Sequence, residues 1–184
     1  MILVDKGTKI KTTLEFIDNV KTLHEKAGDY ESIKIYSAMA DCLKECESYR
    51  ELGTQQGASA AVAANCGIKS MELVDISFKN FRPWAYLFDD VELFLYERSS
   101  INFSKIELKN VDFLLIDSLH KPNHLKKELN LHHNSVNKYI AIHDTNQFKN
   151  MQYEVELFIK NNKEWVLREY YTKGVGYSII ERVL

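Results

Sequence analysis

Two apolar runs end in ionisable residues whose types suit proton transfer. Residues 111–117, V-D-F-L-L-I-D, end in Asp117 and continue into Ser118, Leu119 and His120; residues 139–142 lead into His143, Asp144 and Thr145. A continuous apolar run is what a strand needs when helices cover both faces of its sheet. In an open parallel sheet, ligands bind outside the carboxyl ends of the strands, so both sets of side chains reach one expected site. His120 titrates near neutrality and has a carboxylate three residues before it, which suits a general base. Asp117 and Asp144 are placed to orient an acceptor. His124, His132 and His133 lie on or after a helix without matching partners and read as solvated.

A second chemical feature is the stretch 49–59, Y-R-E-L-G-T-Q-Q-G-A-S, where a short strand ends in a glycine loop that opens a small-residue helix. Gly53 permits a sharp turn, Gly57 lets the first helical turn sit close to a ligand, and the free amides of that turn can bind polar groups. The spacing is Glu51-x-Gly53-x-x-x-Gly57. Gln55 stands where the dinucleotide fingerprint wants a second glycine, and no Gly-Lys-Ser/Thr follows to make a phosphate-binding loop. An ordinary strand-to-helix turn would use the same two glycines. Asp75 closes the next apolar run, 71–76, at 22 residues beyond Gly53. There a second parallel strand would offer a carboxylate to ribose hydroxyls.

The elements that must hold these residues follow from periodicity. Residues 11–27 and 31–47 carry apolar side chains at helical spacing and form two N-terminal helices over the core. Strand 49–53 precedes an alanine-rich helix at 58–65, and strand 71–76 precedes a short helix within 81–90. Strand 92–97 runs into the polar turn of Arg98, Ser99 and Ser100. After strand 111–117 come a helix at 121–129, strand 139–142, a helix at 151–160, and two final strands, 165–171 and 174–184, joined by a tight turn at Lys173 and Gly174. The fold class is therefore α/β: a three-layer Rossmann-like arrangement, mainly parallel with an antiparallel C-terminal strand.

The glycine loop resembles motif I of the class I S-adenosylmethionine-dependent methyltransferases, and the strand and helix order from residue 49 onward resembles their layout. The segments I-D-S-L-H-K-P-N-H-L-K-K-E-L and Y-I-A-I-H-D-T look like the branch that includes antibiotic-sugar O-methyltransferases and cephalosporin-hydroxylase-like proteins. This resemblance places Glu51, Gly53, Thr54, Gln55, Gly57, Ser59, Asp75, Ser99 and Asp117 around S-adenosyl-L-methionine. It also implies a divalent metal, magnesium or manganese, held by Asp117, His143 and Asp144, with His120 as catalytic base. The branch usually carries two acidic residues where this chain has His143 and Asp144, and a nitrogen ligand suits softer ions than magnesium.

Composition narrows the partners. The 184 residues, 45% hydrophobic and 27% charged, suit one soluble domain spanning 1–184, with 1–47 as covering helices and 48–184 as the cofactor-binding sheet. A net charge of −2 without a basic stripe argues against a nucleic-acid partner. The D-S-L-H after the fourth strand differs from the Asp/Asn-Pro-Pro-Tyr/Phe of the fold's DNA-base enzymes. Charges break the apolar N-terminus, giving neither a secretory segment nor a membrane span, so a cytoplasmic location is expected. Cys42, Cys46 and Cys66 read as reduced structural thiols. The leading expectation is a methyltransferase acting on an oxygen of a small hydroxylated molecule such as a sugar. A non-catalytic nucleotide-binding or interaction domain on the same fold is the alternative, and a nicotinamide-dependent oxidoreductase comes third.

Overall fold

A computed structural model describes residues 3–104 and 107–183. Its order is α1 (Thr13–Lys26), α2 (Lys34–Leu43), β1 (Ser48–Leu52), α3 (Ala58–Asn65), β2 (Ser70–Asp75), a 3-10 helix (Arg82–Phe88), β3 (Glu92–Glu97) and β4 (Val111–Ile116). Then come α4 (Pro122–His132), β5 (Val136–His143), α5 (Met151–Asn161), β6 (Trp165–Tyr171) and β7 (Tyr177–Arg182). The seven strands form one sheet in the order β3-β2-β1-β4-β5-β7-β6. Strands β1 to β5 are mutually parallel, and β7 runs antiparallel between β5 and β6. This is the three-layer, mainly parallel fold expected from the apolar runs. The expected last strand extends to Leu184, which lies outside the described residues.

Strand periodicity sorts the core into two layers. Tyr49, Met71, Leu73, Phe113, Leu115 and Ala141 pack with α1, α2 and α3 on one face. Leu52, Val74, Leu114, Ile116, Ile140 and Ile142 pack with Leu125, Leu129, Val155 and Phe158 of α4 and α5 on the other. Ala60, Ala61 and Ala63 are fully buried, and their small side chains let α1 and α2 settle directly on α3. Among the described residues no helix is long and apolar enough to cross a membrane.

Four boundaries differ from the periodicity for local reasons. Helix α2 starts at Lys34, because Asp29 Oδ1 accepts from both the amide and the hydroxyl of Ser32 and holds that segment as a turn. It ends at Leu43, where Glu45 N and Cys46 N close tight turns onto Cys42 and Leu43. The 81–90 helix is a 3-10 turn with Pro83 near its start. Strand β5 begins at Val136, which pairs with Val111; polar Asn137 and Lys138 hide that start in the sequence.

The sheet interior holds one ion pair. Arg50 and Glu72, on neighbouring strands, are 1% and 5% exposed. Glu72 accepts from Arg50 Nε at 2.7 Å, while the other guanidinium nitrogens donate to Ser135 Oγ at 2.8 Å and Lys109 O at 2.7 Å. Removing one partner leaves a buried charge, so Glu72→Ala is expected to cost about 3–5 kcal/mol in urea unfolding, and Arg50→Met with Glu72→Leu to recover most of it.

Candidate active site

Strand direction brings the C-terminal ends of β1 to β5 to one edge, and a cavity of about 640 Å³ opens there. Glu51, Gly53, Asp75, Ser99, Asp117 and His120 all line it, and Tyr36 of α2 contributes from above the sheet. The cavity has the size usual for small-molecule sites.

The glycine loop is wedged between strand ends. Gly53 has φ +93°, and a Cβ there would lie 2.1 Å from the carbonyl oxygen of Asp117. Its amide donates to Val74 O, and the Asp117 amide donates to Leu52 O, both at 2.8 Å. Asp75 pins the loop: Oδ2 accepts from Thr54 N at 2.8 Å and Gln55 N at 3.0 Å, and Oδ1 from Ser77 N at 3.0 Å. Gln55 takes φ +52°, the left-handed conformation for which a glycine is usual. Gly57 also has positive φ, and a Cβ on it would strike the Phe81 ring at 2.7 Å.

Glu51 is fully buried beneath this loop. Its carboxyl accepts from Ser59 Oγ at 2.5 Å and Tyr49 Oη at 2.9 Å. Burial pushes its pKa up to about 8, against the opposing pull of those two hydroxyls. Sequence reasoning missed Gln56, whose side chain brackets Val4: Val4 N donates to Oε1 at 2.8 Å, and Nε2 donates to Val4 O at 3.0 Å. The loop is thus anchored to the N-terminal segment as well as to β2.

Asp117, His120, His143 and Asp144 do converge. His120 Nε2 lies 3.1 Å from Asp117 Oδ1 and 3.0 Å from Asp144 Oδ2. His143 Nδ1 lies 3.3 Å from Asp117 Oδ1 and 3.5 Å from Asp144 Oδ1. The His120 ring stacks on Phe148 with centroids 4.7 Å apart, and Asp144 sits at φ +60°, a strained backbone of the kind found at functional sites. Burial opposes ionisation of both His120 and Asp117. The hydrogen bonds to Asp117 and Asp144 nonetheless raise His120 to about 10, and the two imidazoles hold Asp117 down to about 2.

Ligand atoms of Asp117, His120 and Asp144 all lie within 4.8 Å of one another, close enough to share one metal ion. One imidazole with two carboxylates fits manganese or another transition ion better than magnesium. His143, expected as a ligand from the sequence, faces the two carboxylates through Nδ1, and its buried Nε2 has no hydrogen-bond partner among the described residues.

The reading of three histidines as solvated is corrected. His132 is fully buried, donates from Nε2 to Ser100 O at 2.8 Å, and is pushed down to about 4 by burial. His133 is buried against the Phe158 ring. His124 lines the cavity beside Glu128. The spacing 124, 128, 132 puts His124, Glu128 and His132 on one face of α4, a signal available in the sequence.

Comparison with known proteins gives a likeness of structure alone: no family model and no curated protein sequence matches the chain. A Staphylococcus aureus protein provisionally named as a caffeoyl-CoA O-methyltransferase superposes with TM-score 0.71 at 14% identity, covering 91% of this chain and 92% of that one. The ribosomal protein L11 methylase of Lactobacillus delbrueckii subsp. bulgaricus gives 0.65 at 16% identity, covering 83% and 79%. The 1,6-didemethyltoxoflavin-N1-methyltransferase of Burkholderia thailandensis, solved with S-adenosylhomocysteine, gives 0.65 at 12% identity, covering 98% and 94%. The fold is that of the Rossmann-like methyltransferases.

The cluster makes stability depend on pH in a defined sense. The raised His120 contributes fully below its ordinary value of 6.5, and that contribution is lost as pH rises through about 10. The lowered Asp117 contributes above 3.8 and is lost as pH falls through about 2. Denaturant unfolding should therefore show this contribution whole between about pH 4 and 6.5, and His120→Gln should flatten the alkaline decline.

Proposed function

We propose that the chain is an S-adenosylmethionine-dependent methyltransferase acting on an oxygen of a small hydroxylated molecule such as a sugar, in the manner of the antibiotic-sugar and cephalosporin-hydroxylase-like branch. One observation carries this reading: the glycine loop with Asp75 and the His120 cluster open into the same cavity. The residues fit the cofactor, since the cradle at Gly53 admits no side chain and Asp75 keeps one acceptor position free beyond its three backbone partners.

Bound S-adenosylmethionine supplies a methyl group on a sulfonium for in-line displacement. The chain supplies alignment and a place for the acceptor's proton. Asp75 and the first-turn amides of α3 hold the cofactor's polar ends, while Tyr36 lines the same cavity. Asp117 and Asp144 orient His120, whose Nε2 takes the hydroxyl proton. Both carboxylates also hold His120 as imidazolium near neutrality, so the residue serves as base only after that proton leaves. In a second arrangement Asp117, His120 and Asp144 would hold a divalent ion, which would lower the pKa of a bound hydroxyl in place of base action by His120.

Calorimetry tests the cofactor: S-adenosylhomocysteine should bind with micromolar affinity, and Gly53→Val should abolish binding. On an identified acceptor, turnover of His120→Ala should fall roughly 10²–10⁴-fold with affinity for S-adenosylhomocysteine little changed. The rate should rise with pH above neutrality as the imidazolium titrates. Binding without turnover across a broad acceptor panel would instead point to a non-catalytic domain.

A further inference from the structure

On the α4 side of the cavity, the segments that follow β3 and β4 meet α4. Ser99, Ser100, Ser118 and His124 line it, together with Ile76 and Leu119, whose side chains stay largely exposed. Apolar surface beside a polar edge suits a flat heteroaromatic ring.

The polar edge is built from the interior outward. Glu128 is fully buried, and Ser118 Oγ donates to its Oε1 at 2.5 Å. His124, one helical turn earlier on α4, brings Nε2 to 3.3 Å from the same Oε1 and 3.1 Å from Ser100 Oγ. A carboxyl oxygen against Nε2 selects the tautomer with its proton there, as a ring's second nitrogen is set by the bond the first one makes. Nδ1 is then a bare acceptor, and it has no hydrogen-bond partner among the described residues. His132 backs the arrangement by bonding Ser100 O, which fixes the serine from behind.

We propose that His124, oriented by Glu128 and Ser100, reads the exocyclic amino group of a purine through Nδ1, making it the residue that selects 6-amino over 6-oxo nucleosides. The inference rests on the methyltransferase reading and assigns one edge of its cofactor. An amino group donates to Nδ1. A 6-oxo group would set two acceptors against each other and leave the partly buried ring nitrogen unsatisfied.

The test is paired calorimetry with S-adenosylhomocysteine and S-inosylhomocysteine, which differ only at that position. The parent should prefer the amino ligand by roughly 10–100-fold. His124→Phe, which keeps a ring and removes both nitrogens, should bring the two affinities within about threefold of each other. Glu128→Gln, with folding checked by thermal unfolding, should narrow the preference less. Equal binding of both ligands by the parent, or an undiminished preference in His124→Phe, overturns the proposal and leaves the cofactor reading standing. Binding of neither ligand by the parent overturns both.

Discussion

The tightest approach among the described glycines is that of the β1–α3 turn to the end of β4. A Cβ at position 53 would lie 2.1 Å from Asp117 O and 2.8 Å from Ser118 Cα, so backbone itself would have to move. That contact sets the distance between the glycine loop and the residues after β4. It is also continuous with the sheet, since Gly53 N and Asp117 N complete the ladders on both sides of β1. The glycine loop and the His120 cluster are thus two ends of one rigid junction, and a disturbance at either reaches the other through main chain rather than through side-chain adjustment.

Alternation along β1 gives two neighbouring charged residues opposite fates. Arg50 faces the α4 side, where Glu72, Ser135 and Lys109 O meet its guanidinium. Glu51 faces the α3 side, where it meets only hydroxyls. Burial without a cation beside it pushes Glu51 up to about 8, whereas Glu72 has a guanidinium nitrogen 2.7 Å away. A cationic group arriving in the cavity above Glu51 would favour its ionised form, which couples ligand charge to a proton inside the core.

Strand existence and succession along the chain were legible because fully covered strands carry continuous apolar runs: 111–117 and 139–142 needed no partner to be identified. The glycine loop was legible only in combination with Asp75 at the end of the next apolar run, and Glu51, Gly53, Asp75, Asp117 and His120 do line one cavity. What escaped depends on distance in the fold. Gln56 meets Val4 across 52 positions, and nothing local in Q-Q-G distinguishes the glutamine that clamps from the one that turns. His132 looked solvated because the polar residues around it mask a buried helix face, although its spacing from Glu128 and His124 carried the information.

The cluster around His120 is balanced in charge, and in the proposed reaction that balance governs what it accepts. Two carboxylates face two imidazoles, with Asp117 lowered and both His120 and His143 raised, so the resting site holds its protons firmly. Such a site does not draw an acceptor's proton until one of its own is displaced. A divalent ion shared by Asp117, His120 and Asp144 would displace one directly, because the nitrogen that carries it is the nitrogen that would ligate. An acceptor hydroxyl inserted between His120 and a carboxylate would displace it more gently, by breaking one of the two bonds that raise the imidazole.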